Sequence, residues 1–318
     1  MTVPTRIVVT GSTGFLGRHL MPILQQRYRD QEVIGLSSRD YDLSSSTQAD
    51  RMIVETKPDA IVHLAGYSGG IGANRAKPAD FYYRNTLLTA HVFQSAASHR
   101  VRTLIYTMGG CSYPASALSP IDEQHMWDGY PFPDSAAYSM AKKMALVAAD
   151  AYRTQYGLRS VVLVPGNMYG PYDNFRRDES HVIPAMIRRL VDAVHERADR
   201  VTMWGSGNPV RDYVYAGDVA ANIPFFLEHD DSPGPVNLAS GTQTRIRDLA
   251  ECLKAIIGFD GQLCWDTSKP EGQDVRTYSV ERMTRLGLSC PTPLRQGLEQ
   301  TVDWFRANYA AAGDGLRI

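Results

Sequence analysis

A chain of 318 residues is long enough for one large α/β core with a smaller lobe beside it. Its 43% apolar and 21% charged residues argue against disorder, and a net charge of −1 without any basic block points away from nucleic acid and membrane surfaces. No apolar run approaches the roughly 18–20 residues of a membrane span, and Cys111, Cys252, Cys264 and Cys290 have neither zinc-site spacing nor a disulfide pattern.

In chain order, Arg6-Ile7-Val8-Val9-Thr10 is a β-branched run that starts almost at once, so no signal peptide is expected. Together with the scattered cysteines this makes a reducing cytoplasm the expected compartment. Gly11-Ser12-Thr13-Gly14-Phe15-Leu16-Gly17 then opens a helix expected to reach about Arg29. Glu32 to Leu36 reads as a second strand, and Ala60 to Leu64 as a third, after a helix that Lys57-Pro58 ends. A long amphipathic stretch, about Ala79 to His99, leads to a strand at Arg102 to Tyr106. The helix bearing Tyr138 and Lys142 runs to about Tyr156, where Gly157 stops it, and Ser160 to Val164 is a further strand.

Strands alternating with helices imply an α/β fold, a Rossmann-like doubly wound parallel sheet covered on both faces. Residues 1–165 are expected to form this dinucleotide-binding domain, with the chain returning to it around 212–240. Past Pro165 the rhythm breaks into Gly-, Pro- and Asn-rich loops between helices and short strands. Residues 166–318 are therefore expected to be mainly a smaller C-terminal substrate-binding lobe over the strand ends.

Three features carry chemistry. Gly11, Gly14 and Gly17, spaced GxxGxxG between strand and helix, permit a tight turn and close approach of backbone N–H groups to a pyrophosphate. The second strand ends in Leu36-Ser37-Ser38-Arg39-Asp40, and a guanidinium there suits a 2′-phosphate, which favours NADP(H) over NAD. Tyr138 and Lys142 lie four apart on one helix face, where the cation is expected to stabilise phenolate for proton transfer at a carbonyl or alcohol.

The glycine loop, Asp42-Leu43, His63-Leu64-Ala65-Gly66, Asn85 and Tyr-x-x-x-Lys together resemble the extended short-chain dehydrogenase/reductase superfamily. Ser68 to Asn74, Pro78, Phe81 to Asn85, Cys111 to Pro114, Asn167 to Pro171 and Asp173 to Phe175 resemble the GDP-L-fucose synthases more narrowly. So do Ser180 to Ala185, Trp204 to Gly207, Arg211 to Tyr213, Asp218 and Lys269 to Gly272. That family epimerises C3 and C5 of GDP-4-keto-6-deoxy-D-mannose and reduces its C4 ketone with NADPH. The resemblance implies Cys111 as base and His181 as acid of the epimerisation, with Tyr138 and Lys142 serving the reduction. It implies cofactor contacts from Ser12, Thr13, Phe15 and Leu16, from Asp42 and Leu43, from Leu64, Ala65 and Gly66, and from Thr107, Pro165, Asn167, Met168 and His181. Gly109, Cys111, Asn167, Arg189, Trp204, Arg211 and Glu271 are the implied substrate contacts.

Two positions depart from the resemblance. Gly109 stands where the superfamily carries a serine that polarises the substrate carbonyl, and Thr13 stands where the family carries an arginine. Thr107 or Ser112 is an alternative source of the hydroxyl. Either both activities persist, or the chain is a specialised relative with one activity on another GDP-4-keto sugar; a dinucleotide-binding sensor is the remote alternative. Family analogy implies a homodimer through the Tyr-x-x-x-Lys helix and the one before it. Ala136, Ala137, Ala141, Ala145 and Ala148 either form that small-residue interface or face the sheet.

Overall fold

The computed structural model describes residues 3–176, 180–229, 234–269 and 272–309. Its first half runs β1 (Arg6–Thr10), α1 (Phe15–Arg27), β2 (Glu32–Leu36), α2 (Ser46–Thr56), β3 (Ala60–His63), α3 (Ile71–Ala76), α4 (Pro78–Ser98), β4 (Thr103–Thr107), α5 (Ala136–Tyr156) and β5 (Arg159–Pro165). The remainder runs β6 (Asn167–Tyr169), α6 (Val182–His195), β7 (Arg200–Trp204), β8 (Val210–Arg211), β9 (Tyr213–Tyr215), α7 (Ala216–Glu228) and β10 (Val236–Leu238). It closes with β11 (Thr244–Arg245), α8 (Ile246–Ile257), β12 (Gln262–Asp266), β13 (Val275–Arg276), α9 (Glu281–Arg285) and α10 (Leu294–Asn308).

Six parallel strands form the main sheet in the order β10-β5-β4-β3-β1-β2. Successive side chains of a strand point to opposite faces, so each strand feeds two cores. Val8, Ile61, Leu104 and Val162 join the layer of α2, α4 and α5, while Ile7, Val62, Ile105 and Val161 join that of α1 and α7. This double coverage is why β3 and β5 are buried at every position and carry apolar centres, Ile61-Val62 and Val161 to Val164. Gly157 stops α5 as its sequence suggests, with φ +70° and its N–H on the Arg153 carbonyl.

The second lobe has its own core, in which Phe175, Ile187, Leu190, Leu249, Leu253 and Phe305 pack α6, α8 and α10 together. Its sheets are small: β8 lies between antiparallel β11 and parallel β13, and β7 pairs with β12. Among the described residues no helix is long and apolar enough to cross a membrane. Strand order reverses between β1 and β3, and the loops after these two strands flank the crevice where ligands bind in open α/β sheets.

Candidate active site

The glycine loop shows which of its glycines are obligatory. Gly11 has φ +71°, and a Cβ on it would stand 2.8 Å from the Ala65 nitrogen. A Cβ on Gly17 would collide with the Gly11 carbonyl. Gly14 caps α1 and donates its N–H to the Gly11 oxygen at 3.0 Å. The N-terminus of α1 is thereby brought against the end of β3, a geometry that favours an anion.

Ser12 differs from expectation. Both its N–H and its hydroxyl donate to the Leu36 carbonyl, at 3.0 and 3.1 Å, so it ties the loop to β2 rather than lining the cleft. At the end of β2 the Asp40 carboxylate accepts from the N–H and hydroxyl of Ser37, which holds that carboxyl below its usual range and shapes the turn presenting exposed Arg39. Asp42 is engaged by the N–H and hydroxyl of Ser44, and Leu43 is largely buried.

A cleft of about 1570 Å³ runs from this loop to the second lobe, larger than the roughly 300–1,000 Å³ of a single small-ligand site. Every residue the sequence assigned to a site lines it except Ser12, and except Glu271, which lies outside the described residues. Asn85 braces the wall: its amide oxygen accepts from the Tyr67 N–H, and its nitrogen donates to the carbonyls of Tyr67 and Phe81.

Lys142 is buried, and its ammonium lies 4.2 Å over the Tyr106 ring. Beneath it, His63 stacks on Tyr106 and exchanges a hydrogen bond with Thr10 at 2.8 Å. Burial first, and Lys142 second, push His63 down to about 3, so it is a neutral support and not a proton carrier.

Tyr138, Cys111 and Gly109 meet at one point. A Cβ on Gly109 would stand 3.3 Å from Cys111 Sγ and 3.7 Å from the Tyr138 phenol oxygen. Gly109 has φ −104° and ψ 147°, a conformation open to any residue. Its neighbour differs: a Cβ on Gly110 would collide with the Tyr278 phenol. Packing therefore accounts for one glycine and not the other. The hydroxyls suggested as substitutes are already engaged, Thr107 donating to the His63 carbonyl and buried Ser112 to that of Ser139.

Burial governs both the phenol and the thiol, against the expectation that Lys142 stabilises the Tyr138 phenolate. Burial, then Cys111, push the Tyr138 phenol well above its ordinary range, and Lys142 is not among the groups that shift it. Burial also raises the Cys111 thiol; the Ser139 hydroxyl and the charges of Arg276 and Lys142 oppose this without reversing it. Both outcomes have one cause, the exclusion of water by side chains distant in sequence. His181 is the N-cap residue of α6 but its side chain makes no capping bond, and desolvation lowers its imidazole. Its surface opens onto the cleft, so this is the desolvation of a walled crevice rather than a sealed core.

At the far end, Trp204 is 51% exposed, with the Arg189 guanidinium 5.0 Å and the Lys269 ammonium 5.9 Å from its ring centre. Arg211 donates to the Val210 carbonyl, and burial lowers both its pKa and that of Arg189. Arg18, Arg276 and Tyr278 also line the cleft and were not picked out in the sequence. Arg276 sits on a two-residue strand, too short to show a period, so no local signal marks it. Of the α5 alanines, Ala136, Ala141 and Ala145 are buried inside the fold and Ala137 and Ala148 are half-buried, whereas Met144 and Val147 face outward.

A model of the NAD dependent epimerase/dehydratase family matches residues 7–239. GDP-L-fucose synthase 1 of Arabidopsis thaliana is 34% identical over 303 residues, covering 95% of this chain and 94% of that protein. GDP-L-fucose synthase of Escherichia coli K12 is 31% identical over 312 residues, 95% of this chain and 97% of that protein. A solved structure of a GDP-L-fucose synthetase from Naegleria fowleri, bound to NADP, matches with a TM-score of 0.90 at 26% identity, over 98% of this chain and 97% of that one.

Proposed function

Because the chain belongs to the NAD dependent epimerase/dehydratase family, we propose that it is an NADPH-dependent 3,5-epimerase and 4-reductase of a GDP-4-keto-6-deoxyhexose. The observation that carries this is the meeting of Cys111 and Tyr138 about Gly109, in a cleft that His181 also lines and that leads to exposed Trp204. The tight glycine cradle and exposed Arg39 fit a dinucleotide with a 2′-phosphate, held also by Lys142 and Tyr138. When bound, NADPH supplies the hydride for C4. Trp204 offers a stacking face to the guanine base, and Arg189 and Arg211 suit the diphosphate.

The chain's own residues divide the remaining work. Cys111, as thiolate, takes the proton from C3 or C5 that the 4-keto group acidifies. The C–H electron pair moves into an enolate on the C4 oxygen, and His181 returns a proton on the opposite face. Tyr138 gives its phenolic proton to the C4 oxygen as the ketone is reduced. Outward Met144 and Val147 on α5 support a homodimer through α4 and α5.

Purified protein given GDP-4-keto-6-deoxy-D-mannose is expected to oxidise NADPH and, in deuterium oxide, to incorporate deuterium at C3 and C5, read by NMR of the product. Exchange without NADPH oxidation selects an epimerase, oxidation without exchange selects a 4-reductase, and neither sinks the reading.

Gly109 favours the specialised alternative enough to need its own test. Gly109→Ser is expected to raise kcat for C4 reduction of a 6-deoxyhexose by up to about 10²-fold, through a new donor beside Tyr138. An unchanged or lower kcat, with the protein folded, shows that the open space there serves the native sugar instead.

A further inference from the structure

Arg276 ends β13, is 5% exposed, and extends its guanidinium beneath the turn that carries Cys111. Nη2 donates to the carbonyls of Gly110 at 2.8 Å and Tyr113 at 3.1 Å. Nη1 donates to the Pro114 carbonyl at 3.1 Å and to Gln273 Oε1 at 2.8 Å. These partners are all oxygens of neutral groups. A buried guanidinium is ordinarily matched by a carboxylate, because the charge is costly to desolvate. Here the charge keeps its field, and Cys111 and Tyr278 lie within it. Three of the four hydrogen bonds converge on the five residues from Gly110 to Pro114, which surround the thiol.

The other edge of Arg276 faces the second lobe. β13 pairs with β8 so that Arg276 stands opposite Arg211, and the Arg276 carbonyl accepts the Asp212 N–H at 3.2 Å. Gly272, four residues earlier, lies against the Arg211 guanidinium, which a Cβ there would approach to 2.9 Å. One short segment thus touches the cleft's nucleotide end and the turn bearing the thiol.

We propose that Arg276 is a positioning residue for the epimerisation half of the reaction, fixing the Gly110–Pro114 turn so that Cys111 Sγ faces the sugar and tying that turn to the strand that holds Arg211. This rests on Cys111 being the base. In that step the thiolate forms an S–H bond with the C3 or C5 proton, the enolate keeps the C–H electron pair, and Arg276 exchanges neither proton nor electron.

The test compares full-length Arg276→Lys and Arg276→Gln with the parent. Deuterium exchange at C3 and C5, and NADPH-dependent reduction of a substrate already epimerised, are measured side by side. Alkylation of Cys111 by iodoacetamide is followed by peptide mass spectrometry from roughly pH 6 to 10. Both variants are expected to lose about 10²-fold in exchange and to keep reduction within about threefold, since only the base is displaced. The glutamine variant is expected to shift the alkylation midpoint upward, and lysine to restore the midpoint but not the exchange. Unchanged exchange, an equal fall in both reactions, or failure of both variants to fold overturns the proposal. If the parent shows no exchange, the functional reading fails, and alkylation still decides: an unmoved midpoint in Arg276→Gln overturns the link between Arg276 and Cys111, and a moved one upholds it.

Discussion

Replacing Tyr138 with phenylalanine is expected to lower NADPH-dependent reduction of the C4 ketone by about 10²–10⁴-fold while leaving deuterium exchange at C3 and C5 intact. In the proposed reaction this phenol supplies the proton of the C4 hydroxyl, and phenylalanine removes it with little change in shape. Burial and the neighbouring Cys111 hold the phenol well above its ordinary range, so it carries its proton throughout neutral pH. That is the state needed to reduce a ketone; oxidation of an alcohol needs the phenolate. The sign gives a second readout. Reduction by the parent protein is expected to be flat from roughly pH 6 to 8.5 wherever this proton transfer limits the rate. A phenylalanine variant that keeps reduction within about tenfold removes Tyr138 from the role of acid.

Cys111→Ser is expected to have the converse effect: exchange at C3 and C5 falls by about 10²–10⁴-fold, and reduction of an already epimerised substrate is spared. A serine hydroxyl occupies nearly the same place but holds its proton far more tightly. The pH dependence follows from two opposed shifts. Burial raises Cys111 above its ordinary 9.0 and lowers His181 below its ordinary 6.5. The productive pair, thiolate with imidazolium, is then a minor arrangement of the same protons as thiol with neutral imidazole. Both shifts widen the gap between the two groups and keep its share small. Between the two limits that share does not vary with pH. Exchange is therefore expected to show a plateau, with an acid limb below 6.5 as Cys111 stays protonated beside imidazolium, and an alkaline limb above 9.0 as His181 loses its proton. Rates rising steadily with pH and indifferent to Cys111→Ser sink its assignment as base.

What the sequence disclosed depended on how local each signal was. β1 and β2 were legible to the residue, because β-branched runs bounded by turns have few alternatives. The end of α5 was equally plain, since Gly157 takes a backbone conformation other residues resist. Helix α3 was passed over because its six residues lie in a glycine-rich run that shows no helical period. The site residues came from motifs, and all but Ser12 and undescribed Glu271 line one cleft. Their protonation did not follow, because the burial that sets it comes from distant segments. Arg276 was missed for the same reason: its partners Gly110, Tyr113 and Pro114 lie more than 160 residues away.

The position of β10 has a consequence for synthesis. β1 to β5 are complete once Pro165 has been made, but the sixth strand is Val236–Leu238, about 70 residues later. Until it arrives, β5 is the open margin of a parallel sheet, seven residues long and destined for full burial. Such a margin is a template for pairing with another chain. The nascent protein must therefore emit much of its second lobe before β10 pairs with the Leu163 to Pro165 end of that margin. The interval between residues 165 and 236 is when a slow ribosome or a truncated message exposes it most to aggregation.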